Sequence, residues 1–85
     1  MEKASFEGLI VRLASGALMA MGLVEDPVTG KKQKDLELAR YTIETLEVLK
    51  EKTKGNLTRE ESIFLDSIIA ELKIKYAKVK EGKDA

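Results

Sequence analysis

The chain has 85 residues, of which 15 are basic and 15 acidic, and it contains neither cysteine nor histidine. A domain of this size buries only about 60% of its unfolded surface, so it is marginally stable alone and gains from a partner. The missing residue types exclude disulfides, thiolate zinc sites and imidazole catalysis. The zero net charge argues against nucleic-acid binding, which needs a basic excess.

The apolar periodicity predicts an all-α fold within one domain, 1–85. Helices are expected at about 5–23, 35–54 and 59–80, with a frayed polar tail at 81–85. Few short alternating runs of β-branched or aromatic residues occur, so strands are not expected.

The first predicted helix is apolar over well over half of its circumference. At 100° per residue its broad face contains Phe6, Leu9, Ile10, Leu13, Ala17, Ala20, Met21 and Val24, and Val11, Ala14 and Leu18 widen it. A partner subunit, the other two helices or a bilayer could cover such a helix. The stretch 8–24 is short of the roughly 20 residues of a span and contains Arg12, and no signal-peptide pattern surrounds it. Burial in a helical oligomer is therefore favoured over a membrane.

A long connector, 22–34, follows. Asp26-Pro27 and Thr29-Gly30 are turn dipeptides. Lys31, Lys32 and Lys34 then precede a helix start, where free backbone N–H groups favour anions. The lysines form either a weak phosphate or carboxylate site or a solvated loop, and the solvated loop is favoured because no glycine-rich cradle accompanies them.

Local signals define the next two helices and the turn between them. Asp35 is the expected N-cap of the second helix and Gly55 its left-handed terminator, while Thr58 and Glu61 form a capping box for the third. So short a turn predicts an antiparallel helical hairpin. The apolar side of the second helix is expected to contain Leu36, Leu38, Ala39, Ile43, Leu46 and Leu49, with Tyr41 at the core edge.

The third helix has two apolar strips, which indicates two neighbours. The main face consists of Phe64, Leu65, Ile68, Ile69, Leu72, Tyr76 and Val79. Ile63, Ala70, Ile74 and Ala77 form a narrower strip on roughly the opposite side.

No catalytic, cofactor or metal constellation is found. The serines have no histidine to act as base. The carboxylates of Glu37, Glu44, Glu47 and Glu51 lie opposite the apolar face of the second helix, which is typical of a solvated exterior. We therefore expect no cofactor and no enzymatic activity.

One string of residues resembles a known family. Leu38-Ala39-Arg40-x-Thr42-Ile43-x-x-Leu46 is followed by Lys52-Thr53-Lys54-Gly55-Asn56-Leu57-Thr58 and, after two residues, Glu61. With Pro27-Val28-Thr29-Gly30, these resemble a group of small bacterial proteins catalogued only as a domain of unknown function, over roughly residues 4–77. Glu44 stands where Asp is expected. The resemblance implies a small helical protein and brings no activity with it.

The sequence thus favours a cytoplasmic, non-catalytic scaffold, adaptor or protein-interaction module that binds itself as a homodimer or a tetramer. An unknown protein partner is also possible. Its candidate interface comprises Phe6, Leu9, Leu13, Ala17, Leu18, Ile63, Ala70, Ile74 and Ala77. The alternative is a small-molecule or anion binder that uses the 22–34 loop and the start of the second helix. Whether the first helix docks on its own hairpin or on a neighbour's stays open.

Overall fold

The computed structural model describes residues 3–82. Within them lie three α-helices, α1 (Phe6–Ala20), α2 (Leu36–Lys52) and α3 (Arg59–Lys80), and no β-strand. The all-α prediction is confirmed. All three pairs of helices pack against each other, so α1 docks on its own α2–α3 hairpin. Most of the predicted tail, 83–85, lies outside the described residues.

The first helix ends at Ala20, three residues before the predicted end. Gly22, with φ +77°, donates its N–H to the carbonyl of Met19 at 3.0 Å, and Leu23 donates to the carbonyl of Leu18 at 3.0 Å. This is a Schellman motif, which stops a helix by satisfying its last carbonyls. The apolar pattern of the sequence continues beyond Ala20, so it predicted a helix that is longer than α1.

The hairpin forms as the capping chemistry predicts. The Asp35 carboxylate accepts the N–H of Leu38 at 3.1 Å and caps α2. Thr58 and Glu61 exchange both bonds of the capping box, at 2.8 Å and 3.1 Å. Between the helices Gly55 has φ +85°. The second helix spans Leu36–Lys52 instead of 35–54, because Asp35 and Thr53 are its caps. The third helix spans the predicted 59–80.

The core lies where the three helices meet. Its largest fully buried side chains are Ile10, Met21, Leu46 and Leu65, one or two from each helix or its C-cap. Three buried alanines of α1, Ala14, Ala17 and Ala20, complete that side. Small side chains let α1 approach both other helices closely, and no polar side chain is buried among the described residues.

The connector between α1 and α2, residues 22–34, is a loop that folds back on itself so that its two ends meet, and we call it the tongue. Met21 and Lys34 form an isolated antiparallel bridge, and the N–H of Asp35 donates to the carbonyl of Ala20 at 2.7 Å. At the tip, the backbone N–H of Asp26 donates a hydrogen bond to the carbonyl of Lys31 at 2.9 Å. The Asp26 carboxylate also accepts the N–H of Val28 at 2.7 Å, as expected for an Asp-Pro turn. Both ends of the loop are therefore held at the end of α1.

Candidate interaction surface

The outer face of α3 is an exposed apolar strip that no other part of the described chain covers. Ile63 and Ile74 are 56% and 59% exposed, and Ala70 and Ala77 are also exposed. The opposite side of the helix supplies the buried Leu65, Ile69, Leu72 and Val79. The third helix therefore has the two apolar strips that the sequence predicts, one on its inner face and one on its outer face. We call Ile63, Ser67, Ala70, Ile74 and Ala77 the α3 strip.

Ser67 was not among the residues predicted for this strip. The residues of the strip are separated by intervals of four, three, four and three, and Ser67 supplies the one missing step. That spacing keeps all five residues on one face of the helix, as a seam that packs on another helix requires. The signal was present in the sequence, but a serine is not counted in an apolar pattern.

Two charged residues with opposite signs border the strip on the side facing α2. Asp66 pairs with Lys50 of α2 at 2.8 Å, and Lys73 pairs with Glu47 of α2. All four side chains are about half exposed. The Asp66 carboxylate accepts a hydrogen bond from the Lys50 ammonium and attracts it, which raises the pKa of Lys50. The bridges bind α3 to α2 and leave the charges within reach of solvent.

The outer face of α2 carries a second exposed apolar strip. Leu38, Tyr41 and Val48 are all exposed, and Val48 is 57% exposed. Leu38 was expected on the apolar side of α2 and Tyr41 at the core edge, and both predictions are wrong because at least half of each side chain is exposed, so the packed face of α2 is narrower than the periodicity implies. Together with Thr45, whose hydroxyl donates to the carbonyl of Tyr41 at 2.9 Å, these residues form what we call the α2 strip.

The α2 strip is bordered by carboxylates of one sign. Glu37, Glu44 and Glu51 recur every seven residues and are exposed. At 100° per residue they form a row along one edge of the strip. The depression at the start of this face is shallow and is lined by Asp35, Glu37, Leu38, Arg40, Tyr41 and Glu44.

The α1 residues of the predicted interface mostly close the monomer's own core. Ala17 is fully buried and has no surface left for a partner. Phe6, Leu13 and Leu18 are half-buried and pack against the core, and only Leu9 is exposed. The physical reason is that α1 folds onto its own hairpin, which the sequence left undecided.

The lysines of the predicted anion site are all exposed on the returning half of the tongue. Lys31 follows the turn, where its N–H donates to the Thr29 hydroxyl at 3.3 Å. The adjacent N-terminus of α2 already holds the carboxylate of Asp35, with Glu37 in its first turn. An incoming anion would meet these two negative charges, so the geometry does not favour this site.

Within residues 3–82 no group of three or more carboxylates is arranged to hold a metal ion. None of the three helices, as the structure describes them, has both the length and the apolar character that a membrane crossing requires.

Three helices, a capped hairpin between the last two and a connector with a Pro-Val-Thr-Gly turn define a small helical domain. Residues 3–78 match the model of the family described as a domain of unknown function (DUF1844), and the chain belongs to that family. No curated protein and no solved structure matches the chain.

Proposed function

We propose that this protein is a non-catalytic interaction module that self-associates through the α3 strip. The observation that carries the proposal is the pair of isoleucines, Ile63 and Ile74, each more than half exposed on a helix whose other face is already buried. Lone exposed apolar residues are ordinary, but apolar residues at seam spacing on one helix form a continuous surface.

The gain from covering this strip is substantial for so small a domain. Fully burying an exposed isoleucine side chain contributes about 1.5–3 kcal/mol. A symmetric dimer covers four isoleucines that are each somewhat more than half exposed in the single chain, so each contributes roughly half of that amount. Unfolding free energies of domains are about 5–15 kcal/mol. Self-association thus supplies the partner that a short chain with a small core needs.

The association is expected to depend on concentration. The strip extends over 15 residues, which is about four helical turns. One helix pair of that length is smaller than a standard interface of about 1,600 Å². The proposed dimer therefore dissociates on dilution, and any tetramer needs a further contact.

The test is light scattering coupled to size exclusion, across a dilution series from millimolar to micromolar. The wild-type chain is expected to move from the mass of two chains to that of one. Ile74→Glu should be monomeric throughout, because it would bury a carboxylate against an apolar surface. Val48→Glu is the matched control, since Val48 is exposed to nearly the same extent on α2, and it should behave like the wild type.

Circular dichroism of both variants verifies that they remain helical. A wild-type chain that is monomeric at every concentration would overturn the proposal. So would a folded Ile74→Glu variant that dimerises as the wild type does.

A further inference from the structure

We infer that two copies of the chain pair antiparallel through their α3 strips, with the two-fold axis between residues 68 and 69. This inference rests on the proposed self-association and specifies its arrangement. In this register Ile63 lies opposite the partner's Ile74, and Ser67 lies opposite the partner's Ala70.

Side-chain size fits that register. Two packed helices that cross at about 20° approach most closely at the crossing point and diverge toward their ends. Two of the three small residues of the strip, Ser67 and Ala70, lie at the crossing point, and the third, Ala77, lies at its C-terminal end. Ile63 and Ile74, the large ones, lie about 8 Å to either side of the crossing point along the helix axis, given a rise of 1.5 Å per residue. The part of the strip from Ile63 to Ile74 is thus complementary to itself in shape.

The bordering charges select the same register. Antiparallel pairing about this axis brings Asp66 beside the partner's Lys73, and symmetry repeats the contact. Within each chain Asp66 already binds Lys50 and Lys73 already binds Glu47. The dimer therefore contains two rows in which the charges alternate: Lys50, Asp66, the partner's Lys73 and the partner's Glu47. Networks of this kind stabilise more reliably than isolated surface pairs.

Other arrangements place like charges together. Parallel pairing brings Asp66 beside the partner's Glu71 and Lys73 beside the partner's Lys78. An antiparallel pairing shifted by seven residues brings the two copies of Lys73 together and leaves Ile63 opposite the partner's Glu81. The inferred register has one unfavourable contact, between Arg59 and the partner's Lys80 at the ends of the seam, where solvent screens it.

Because the natural chain has no cysteine, single cysteines report the arrangement directly. Ile63→Cys and Ile74→Cys are prepared separately, reduced, mixed in equal amounts and oxidised. The antiparallel register places these two positions opposite each other, and a disulfide forms where the two Cα atoms come within about 4.4–6.8 Å. Each variant alone holds its two cysteines about 16 Å apart along the axis, given a rise of 1.5 Å per residue.

The expected result is a disulfide-linked dimer in the mixture and almost none in either variant alone. Val48→Cys, mixed with either variant, is the matched control and should not cross-link. Cross-linking of Ile63→Cys with itself would indicate parallel pairing and overturn the register, while self-association itself would stand. A wild-type chain that light scattering finds monomeric would instead overturn the proposed function.

A second measurement covers the case in which the cysteine variants no longer associate. Asp66→Lys alone places like charges against the partner's Lys73, and Lys73→Asp alone places like charges against the partner's Asp66. Mixed together, the two variants restore opposite charges at both symmetric contacts. We expect the mixture to dimerise at least tenfold more tightly than either variant alone. Equal association of the mixture and the separate variants would overturn the register.

Discussion

The outer faces of α2 and α3 both expose large apolar side chains and differ in the charges beside them. Val48 and Ile74 are 57% and 59% exposed. Beside the α3 strip stand Asp66 and Lys73, which have opposite signs, whereas a row of glutamates borders the α2 strip. Two α2 strips that met antiparallel would bring these carboxylates together.

This difference indicates that exposure alone does not choose an interface between copies of one chain. In a two-fold contact each surface meets itself, so a row of one sign repels and a mixed row attracts. The α3 strip can therefore serve self-association, while the α2 strip stays open on the outside of the proposed dimer.

The largest expected effect is on the free energy of unfolding, and it should differ between substitutions on the inner face of α3 and substitutions on its outer face. Leu65→Ala removes a fully buried side chain and should lower the free energy of unfolding by about 2–5 kcal/mol. Ile74→Ala should change the unfolding of the monomer by less than about 1 kcal/mol and act mainly on dimerisation. Urea denaturation at a concentration where the chain is monomeric measures both. Equal losses in the two variants would contradict the division into faces.

A second prediction removes the charge difference between α2 and α3. In an antiparallel α2 pairing, the double substitution Glu37→Lys with Glu44→Gln puts a positive charge within reach of the partner's Glu51 and neutralises the central repulsion. Each surface pair contributes about 0.2–1 kcal/mol, so α2 association should strengthen about tenfold. Light scattering should then detect masses above that of a dimer at high concentration.

The control for this variant makes the same change in net charge elsewhere, with Glu25→Lys and Glu7→Gln. It should remain dimeric at high concentration. Larger assemblies of the control would mean that net charge, and not the row along α2, limits association.

A smaller effect on dimerisation is expected from the charges at the ends of the α3 strip. Lys80→Glu should replace the like-charge contact with Arg59 by an opposite-charge contact, twice per dimer, and tighten dimerisation by about three- to tenfold. Lys78→Glu is the control, because Lys78 is in the same last turn of α3 but does not face Arg59. In the antiparallel register shifted by seven residues, Lys80→Glu would instead oppose the partner's Asp66 and weaken the dimer.

Local chemistry made the hairpin predictable from the sequence, because the Thr58–Glu61 capping box and Gly55 act through residues a few positions apart. The placement of α1 was not predictable in the same way. A helix that is apolar nearly all round does not specify which arc faces the core, and the structure buries Ala14 while leaving Leu9 exposed.

The candidate interaction surface on α3 was predictable only in part. Ile63, Ala70, Ile74 and Ala77 stand apart from the core face by periodicity alone, so the strip could be found. Its bordering charges were missed, because the role of Asp66 and Lys73 depends on their pairing with α2. That pairing requires the relative positions of two helices, which spacing along one helix does not supply.

The smallest expected effect concerns the pH dependence of the α2–α3 bridge. The hydrogen bond and charge of Asp66 raise the pKa of Lys50 in the folded chain above its ordinary value of 10.5. The stabilisation by this pair is therefore complete below pH 10.5 and is lost as the pH rises through the higher folded pKa. Lys50→Met should remove this part of the alkaline loss, so the free energy of unfolding should fall less steeply above pH 10.5 than in the wild type. Lys52→Met, at a neighbouring position on α2, should keep the steeper slope, and equal slopes in the two variants would mean that the bridge to Asp66 is not maintained in solution.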